Sequence, residues 1–332
     1  MKTRVLVSKT DTIFSNLAFE EYLIEHANPA PTLFLWRNKP TVTIGRHQNP
    51  WKECNLSLME SSGISLARRY SGGGAVFQDL GCTTFTFLNR IDTAESAKSL
   101  IDSNFEMVCR ALSSLGVSSA VRQGRNDIVC DGRKVSGSAF KQNPNYVLHH
   151  GTILVNTDMG ALSRLLTPDK LKLQSKGISS VSARVANLSD LNPSVSHEVV
   201  CDAISQTFLS HYRSVDQAIE YIDNDSSSLQ SPEYLSHFDK LKDWNWRFGS
   251  TPEFSHSFSN RIDGLGCFDL HLNVSNAKIT NCRLFSDCLD TSIVSNTVAS
   301  LKGCTYKLDS IDAAMRNNPL REWVTFEIGQ AM

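Results

Sequence analysis

The sequence predicts an α+β protein: a large mixed-sheet domain followed by a small α/β domain. Three observations carry this. At 332 residues the chain exceeds the usual domain size of about 100 to 200 residues. Its short β-rich runs and helical stretches follow one another without the regular rhythm of βαβ units. A polar, turn-rich segment, DNDSSSLQSP at 223–232, loosens the chain before a shorter second part. The expected domains are 1–246 and 247–332.

Element by element, Arg4 to Ser8 alternates as a strand does, and Asn16, Leu17, Phe19, Glu20, Tyr22, Leu23 and Ile24 recur at helical spacing. Thr32 to Trp36 and Thr41 to Ile44 flank the turn Arg37-Asn38-Lys39-Pro40, as in a hairpin. Ile64 to Arg69, Ala75 to Phe77 and Thr83 to Leu88 are extended runs. Ala94 to Leu115 is a helix with Gly116 as its C-terminal stop. Asn126 to Cys130 and Lys134 to Phe140 flank Asp131-Gly132, a dipeptide suited to a tight hairpin because both residues tolerate positive φ. Tyr146 to Val155 is a strand, and helical stretches follow near 158–166 and 197–212. Cys267 to Val274 and Lys278 to Phe285 form a second hairpin, with helix beyond 290.

Composition narrows the class of function. Lys plus Arg number 33 against 34 Asp plus Glu, a formal net charge of −1, so no general basic field invites nucleic acid or anionic lipid. No apolar run of 18 residues and no leader-like N-terminus is visible, so neither membrane spanning nor secretion is expected. Nine scattered cysteines without a CxxC pair read as reduced thiols. A thiolate at Cys82 or Cys130 could serve as a nucleophile, but free cysteine is mostly a small buried hydrophobe, which is the reading preferred for both. The tryptophans 36, 51, 244 and 246 suit either a core or the wall of an apolar acyl pocket.

Two clusters point to anion chemistry. Arg68-Arg69-Tyr70-Ser71-Gly72-Gly73-Gly74-Ala75 lets backbone N–H groups converge on an anion without obstruction by Cβ, with arginine beside them. It is neither a GxxxxGK[ST] loop nor a GxGxxG turn. The second cluster runs from Asn126-Asp127 through Lys134-Val135-Ser136-Gly137-Ser138. On a regular strand Lys134, Ser136 and Ser138 share one polar face, where a fixed lysine stabilises charge shared between a carboxylate and a phosphate. His149-His150 is not a metal pair: strand neighbours point to opposite faces, and no further ligands are spaced for it. One histidine is expected in the core and the other, His150, in the pocket lining.

Together these motifs resemble the lipoate-protein ligase A family, which belongs to a larger group with biotin-protein ligases and octanoyltransferases. The matching segments are TIGRHQNPW at 43–51, RRYSGGGAVF at 68–77, GRNDI at 124–128, DGRKVSGSA at 131–139, HHGTIL at 149–154 and KGISSVSARVANL at 176–188. The resemblance implies the biotin/lipoate ligase fold with an accessory C-terminal domain. It also implies two half-reactions: lipoate and ATP form lipoyl-AMP and pyrophosphate, then a lysine of an acceptor displaces AMP. By family position Lys134 is the catalytic residue, touching lipoate and the α-phosphate. Arg69 and Gly74, Ala75, Val76 and Phe77 hold ATP, with Ser71, Gly72, Gly73, Asn126, Asp127, Ser136 and His150 in support. Mg²⁺ accompanies ATP without a protein metal site, and 175–187 covers the adenylate. The implied acceptors are the lipoyl domains of 2-oxoacid dehydrogenase E2 subunits and the glycine-cleavage H protein, served by a monomer in the cytoplasm, or in mitochondria if the source is eukaryotic. A transferase using a preformed lipoyl or octanoyl donor is the alternative. Where the family commonly has HDxGN, this chain reads Gln78-Asp79-Leu80-Gly81-Cys82; glutamine hydrogen-bonds but cannot become cationic.

Overall fold

The computed structural model describes residues 2–27, 29–117, 120–167, 185–214 and 218–331. Two units emerge, residues 1–46 with 64–242 and residues 47–63 with 243–332.

The first unit is built on strands β1 (Arg4–Ser8), β2 (Thr32–Trp36), β3 (Thr41–Ile44), β4 (Ser65–Arg68), β5 (Val76–Gln78), β6 (Cys82–Arg90), β7 (Val121–Gln123), β8 (Asp127–Cys130), β9 (Arg133–Gln142), β10 (Tyr146–Leu154) and β11 (Ile219–Ile222). Eight of them form one sheet in the order β11-β1-β2-β6-β10-β9-β8-β7, while β4-β3-β5 form a small second sheet. The large sheet is mixed: β1 runs parallel to both its neighbours, and every pair from β2 to β7 is antiparallel. The mixed α+β architecture expected from the sequence is present.

Alternation along the strands separates two faces. On one, Phe85, Phe87, Val135 and Ile153 share a core with Phe105, Val108 and Leu112 of the helix Ala94–Ser114 and with Val200, Ile204 and Phe208 of the helix His197–His211. The first of these helices starts at a capping box, in which Thr93 and Ser96 satisfy each other's backbone N–H groups. The other face receives the helix Ile13–Glu25, capped by Thr12, whose Phe19 packs edge-on against Phe34.

One expected hairpin is absent. Both β2 and β3 are buried throughout, yet β2 joins the large sheet and β3 the small one. Their connection is held by a helix side chain instead: Asn16 Nδ2 donates to Asn38 Oδ1 (2.9 Å) and to the Arg37 carbonyl (3.2 Å). The hairpin at Asp131-Gly132 forms as read, with φ of 50° and 75° in the turn.

The second unit has strands β12 (Phe254–Ile262), β13 (Gly266–Ser275) and β14 (Lys278–Ser286) in one antiparallel sheet. Helices Thr291–Leu301, Leu308–Ala314 and Arg321–Ala331 complete it. Its core holds Phe268, Leu270, Leu272, Ile279, Tyr306 and Val324. Trp51 is part of this core, its ring 5.6, 5.4 and 5.2 Å from those of Phe248, Phe254 and Tyr306. Among the described residues no helix is long and apolar enough to cross a membrane.

Candidate active site

The candidate site lies on the face of the large sheet that receives the helix Ile13–Glu25, where strand alternation separates the two adjacent histidines. His149 enters the core among Phe85, Phe87, Phe105 and Phe140, and its Nε2 lies 3.0 Å from Ser138 Oγ. Burial, with lesser help from His150 and Arg122, drives its pKa far down, so it is neutral. His150 emerges on the opposite face. Its Nδ1 is 3.0 Å from both carboxylate oxygens of Glu20, and its Nε2 is 2.7 Å from Ser71 Oγ.

Ser71 opens the glycine loop between β4 and β5, and that loop is wrapped around Arg69. The buried guanidinium donates through Nη2 to the carbonyls of Gly72 (2.7 Å) and Gly74 (2.8 Å), through Nη1 to Thr43 (3.2 Å) and through Nε to Ser71 Oγ (3.0 Å). Burial lowers the Arg69 pKa to about 10, opposed by Glu20, so it is still a cation at neutral pH. Arg68 is also buried and donates to the carbonyls of Gly45 and Arg46. Arg69 thus organises the loop by binding its carbonyls, while Arg68 holds the carbonyls that follow β3.

The glycines divide by purpose. Gly73 has φ of 95°, a conformation that favours glycine. Gly45 allows close approach: a Cβ there would lie 2.3 Å from the Gly73 carbonyl oxygen. At Gly72 and Gly74, by contrast, φ is ordinary for any residue and a Cβ would meet nothing within 4 Å. The fold itself does not demand glycine there. Of the residues that follow, Ala75 and Val76 are half-buried and Phe77 is buried, with Val76 and Phe77 paired to Thr43 and Val42 of β3.

Lys134 reaches this face through an irregularity. The register shift between Ile128 and Val129 sets Lys134 opposite Val129 and Ser136 opposite Ile128, leaving Val135 as an extra residue. This β-bulge overturns the shared face expected for Lys134, Ser136 and Ser138, because one inserted residue reverses the alternation. Ser138 points to His149 in the core, and Ser136, buried and opposite Ile153, lies on the same side. Lys134 turns the other way. Its Nζ is 2.7 Å from Asp127 Oδ1 and its chain lies across Gly137, where a Cβ would fall 2.7 Å from Nζ. Asn126 braces the same hairpin, its Nδ2 donating to the Ser138 carbonyl (3.2 Å) and its own carbonyl accepting from Ser138 N–H (2.7 Å).

Loop and lysine therefore approach the same face of β9. A Cβ on Gly73 would lie 3.6 Å from Ala139 Cβ, and Ala139 is two residues along the same face from Gly137, about 7 Å. Lys134, Asp127, His150, Ser71 and the glycine loop share one side of the sheet. Sequence reasoning missed Glu20, Thr86, Gly45 and Gly137. For Glu20 a signal exists: it is an acidic residue within the apolar stripe of the first helix.

Gln78 takes its place without charge, accepting from Thr43 Oγ1 (2.9 Å) and donating to Thr84 Oγ1 (3.0 Å). Cys82 and Cys130 are buried, and burial raises their thiol pKa, to about 11 for Cys130, which argues against nucleophilic roles. Trp36 lies in the first unit with its indole N–H on Thr86. Of the expected covering segment, Lys176, Gly177, Ser182 and Arg184 fall outside the described residues. Its end is described: Val185 bridges to Lys134, and Ala186 N–H donates to the Lys134 carbonyl (2.9 Å).

Comparison with known proteins gives a consistent result. Residues 12–209 match the family described as lipoyl protein ligase A/B catalytic domain, and residues 251–330 match bacterial lipoate protein ligase C-terminus. Lipoate-protein ligase A of Psychrobacter cryohalolentis is 43% identical over 318 residues, covering 94% of this chain and 91% of that one. Among solved structures, P. falciparum LipL1 in complex with lipoate is similar with a TM-score of 0.66 at 33% identity, covering 98% of this chain and 99% of that one. Lipoate-protein ligase A bound with ATP gives 0.63 at 27%, covering 75% and 100%. The bipartite lipoate protein ligase of Thermoplasma acidophilum, studied with its E2 lipoyl domain, gives 0.65 at 29%, covering 75% and 97%.

Proposed function

The chain belongs to the lipoate-protein ligase A family, and from that membership we propose that it joins lipoate to ATP, releasing pyrophosphate, and then passes the lipoyl group from lipoyl-AMP to a lysine of an acceptor protein. The observation that carries this reading is the delivery of Lys134, by a bulge, to the face that bears the glycine loop. The first half-reaction brings a carboxylate against an α-phosphate. At about 4 Å two such charges repel by about 4 kcal/mol in a partly solvated site. Lys134 offsets that repulsion, and exchanges Asp127 for the reactants as they arrive. The segment Gly74 to Phe77, with Gly72 and Gly73, takes the phosphates, and Arg69 holds the loop in shape through its carbonyls. Ser71, Asn126 and His150 complete the lining.

Magnesium comes with the triphosphate, held by its oxygens and water; among the described residues no three His, Cys, Asp or Glu side chains group to hold an ion. The acceptors are lipoyl domains of 2-oxoacid dehydrogenase E2 subunits and the glycine-cleavage H protein, and the enzyme works as a monomer in the cytoplasm, or in mitochondria if the source is eukaryotic. The relatives support this reading: one was solved with lipoate, one with ATP, and one was studied with its lipoyl domain.

The test is exchange of labelled pyrophosphate into ATP that depends on lipoate. Lys134→Met should abolish it while the far-ultraviolet dichroism is unchanged. Transfer from a preformed donor with no exchange in the unaltered protein would mean the ATP step is wrong.

A further inference from the structure

We propose that Glu20, His150 and Ser71 form a proton relay that removes the amine proton during acyl transfer. This rests on the two-step reading above and assigns a role to a residue, Glu20, on an element far from the motifs. The three side chains are buried, exposed by only 3%, 7% and 3%.

Donor directions along the chain are fixed from one end. Trp36 Nε1–H donates to Thr86 Oγ1 (3.1 Å), so the Thr86 hydroxyl gives its own proton to Glu20 Oε1 (2.5 Å). The Glu20 carboxylate accepts, so the hydrogen between it and His150 sits on Nδ1. In the neutral imidazole Nε2 is then a lone pair, and it takes the Ser71 hydroxyl proton at 2.7 Å. Arg69 Nε–H donates to Ser71 Oγ (3.0 Å), which makes that hydroxyl a better proton donor and leaves one lone pair for an incoming N–H. The other titratable groups around the relay are Glu21, which pairs with Lys141 and is raised in part by Glu20, and His149 on the far face, which is neutral.

The chemistry asks for such a relay in one half-reaction only. Adenylation moves no proton: a carboxylate oxygen bonds to phosphorus and pyrophosphate leaves. In transfer, the free amine bonds to the acyl carbon and the bond from that carbon to the AMP oxygen breaks, AMP leaving with the electron pair. The nitrogen must shed one proton. It passes to Ser71 Oγ as the Ser71 proton passes to His150 Nε2, and the resulting imidazolium faces Glu20 until product leaves.

The experiment uses the full chain and treats the halves separately. In Glu20→Gln, lipoate-dependent pyrophosphate exchange should stay within about twofold of the parent. Single-turnover transfer from supplied lipoyl-adenylate to an acceptor lipoyl domain should fall on the order of 10²-fold. His150→Gln, which keeps an amide for hydrogen bonding but takes no proton, should show the same loss of single-turnover transfer, and serves if Glu20→Gln does not fold. Transfer at the parent rate, or equal loss in both halves, overturns the relay. Because transfer starts from supplied lipoyl-adenylate, failure of the ATP step in the parent is seen separately in the exchange assay.

Discussion

Gly137→Ala should disarm the site while sparing the fold. The new Cβ would lie 2.7 Å from Lys134 Nζ and 2.9 Å from its Cε, inside the 3.4 Å at which ordinary contact begins. Nothing rigid is struck, so the lysine head yields rather than the backbone. In doing so it leaves its position 2.7 Å from Asp127 Oδ1. The stability balance is near zero. A pair in which Lys134 is 23% exposed contributes up to about 1 kcal/mol, and alanine in a strand is favoured over glycine by about 0.5 to 1 kcal/mol. The rate balance is not: a displacement of about 1 Å at a reacting centre costs on the order of 10²-fold, or about 2.7 kcal/mol. The assays are lipoate-dependent pyrophosphate exchange and thermal unfolding. Exchange should fall on the order of 10²-fold while Tm moves by no more than about 2 °C. Parent-level exchange would refute the claim that Lys134 works from across Gly137, and a large fall in Tm would show that the backbone had moved instead.

Other expectations follow from single contacts. Gly45→Ala sets a Cβ 2.3 Å from the Gly73 carbonyl oxygen, a backbone clash that should cost about 1 to 3 kcal/mol and weaken ATP use, read from the urea midpoint and the KM for ATP; an unchanged midpoint would contradict it. Trp51→Ala removes the ring shared by Phe248, Phe254 and Tyr306 and should cost about 3 to 5 kcal/mol, seen as faster hydrogen exchange in β12 to β14; full protection there would count against it. His197, accepting or donating at Thr83 Oγ1 (2.8 Å), has its pKa lowered to about 4, chiefly by burial and then by Arg37. The unfolded imidazole binds its proton near pH 6.5, so the unfolded state gains protons first as pH falls, and stability drops between about 6.5 and 4. His197→Gln should make that decline shallower in urea unfolding at pH 7 and pH 5; identical slopes would rule out His197 as a contributor.

The motif-bearing segments were legible because their signals are local. Three glycines after Arg69-Tyr70-Ser71, and Asp131-Gly132 between two extended runs, state their backbone needs in adjacent residues. The division of His149 and His150 between faces followed from period-two alternation alone. The face of Lys134 did not, since a bulge at Val135 is a mismatch between two strands, and neither strand announces it. The β2–β3 hairpin failed for a related reason: a turn signal says that the chain reverses, not which strands then pair.

The pattern of extended and helical runs by itself determined the mixed α+β class, and the motifs, through their resemblance to a known family, marked Arg69, Ser71 and Lys134 as the residues to watch. Only the tertiary structure decided that Arg69 faces carbonyls of its own loop, that Glu20 stands behind His150, and that 47–63 packs with the C-terminal residues. Local conformational preference is written in neighbouring residues. Which distant surfaces meet depends on how buried area, register and hydrogen bonds are satisfied over the whole chain at once.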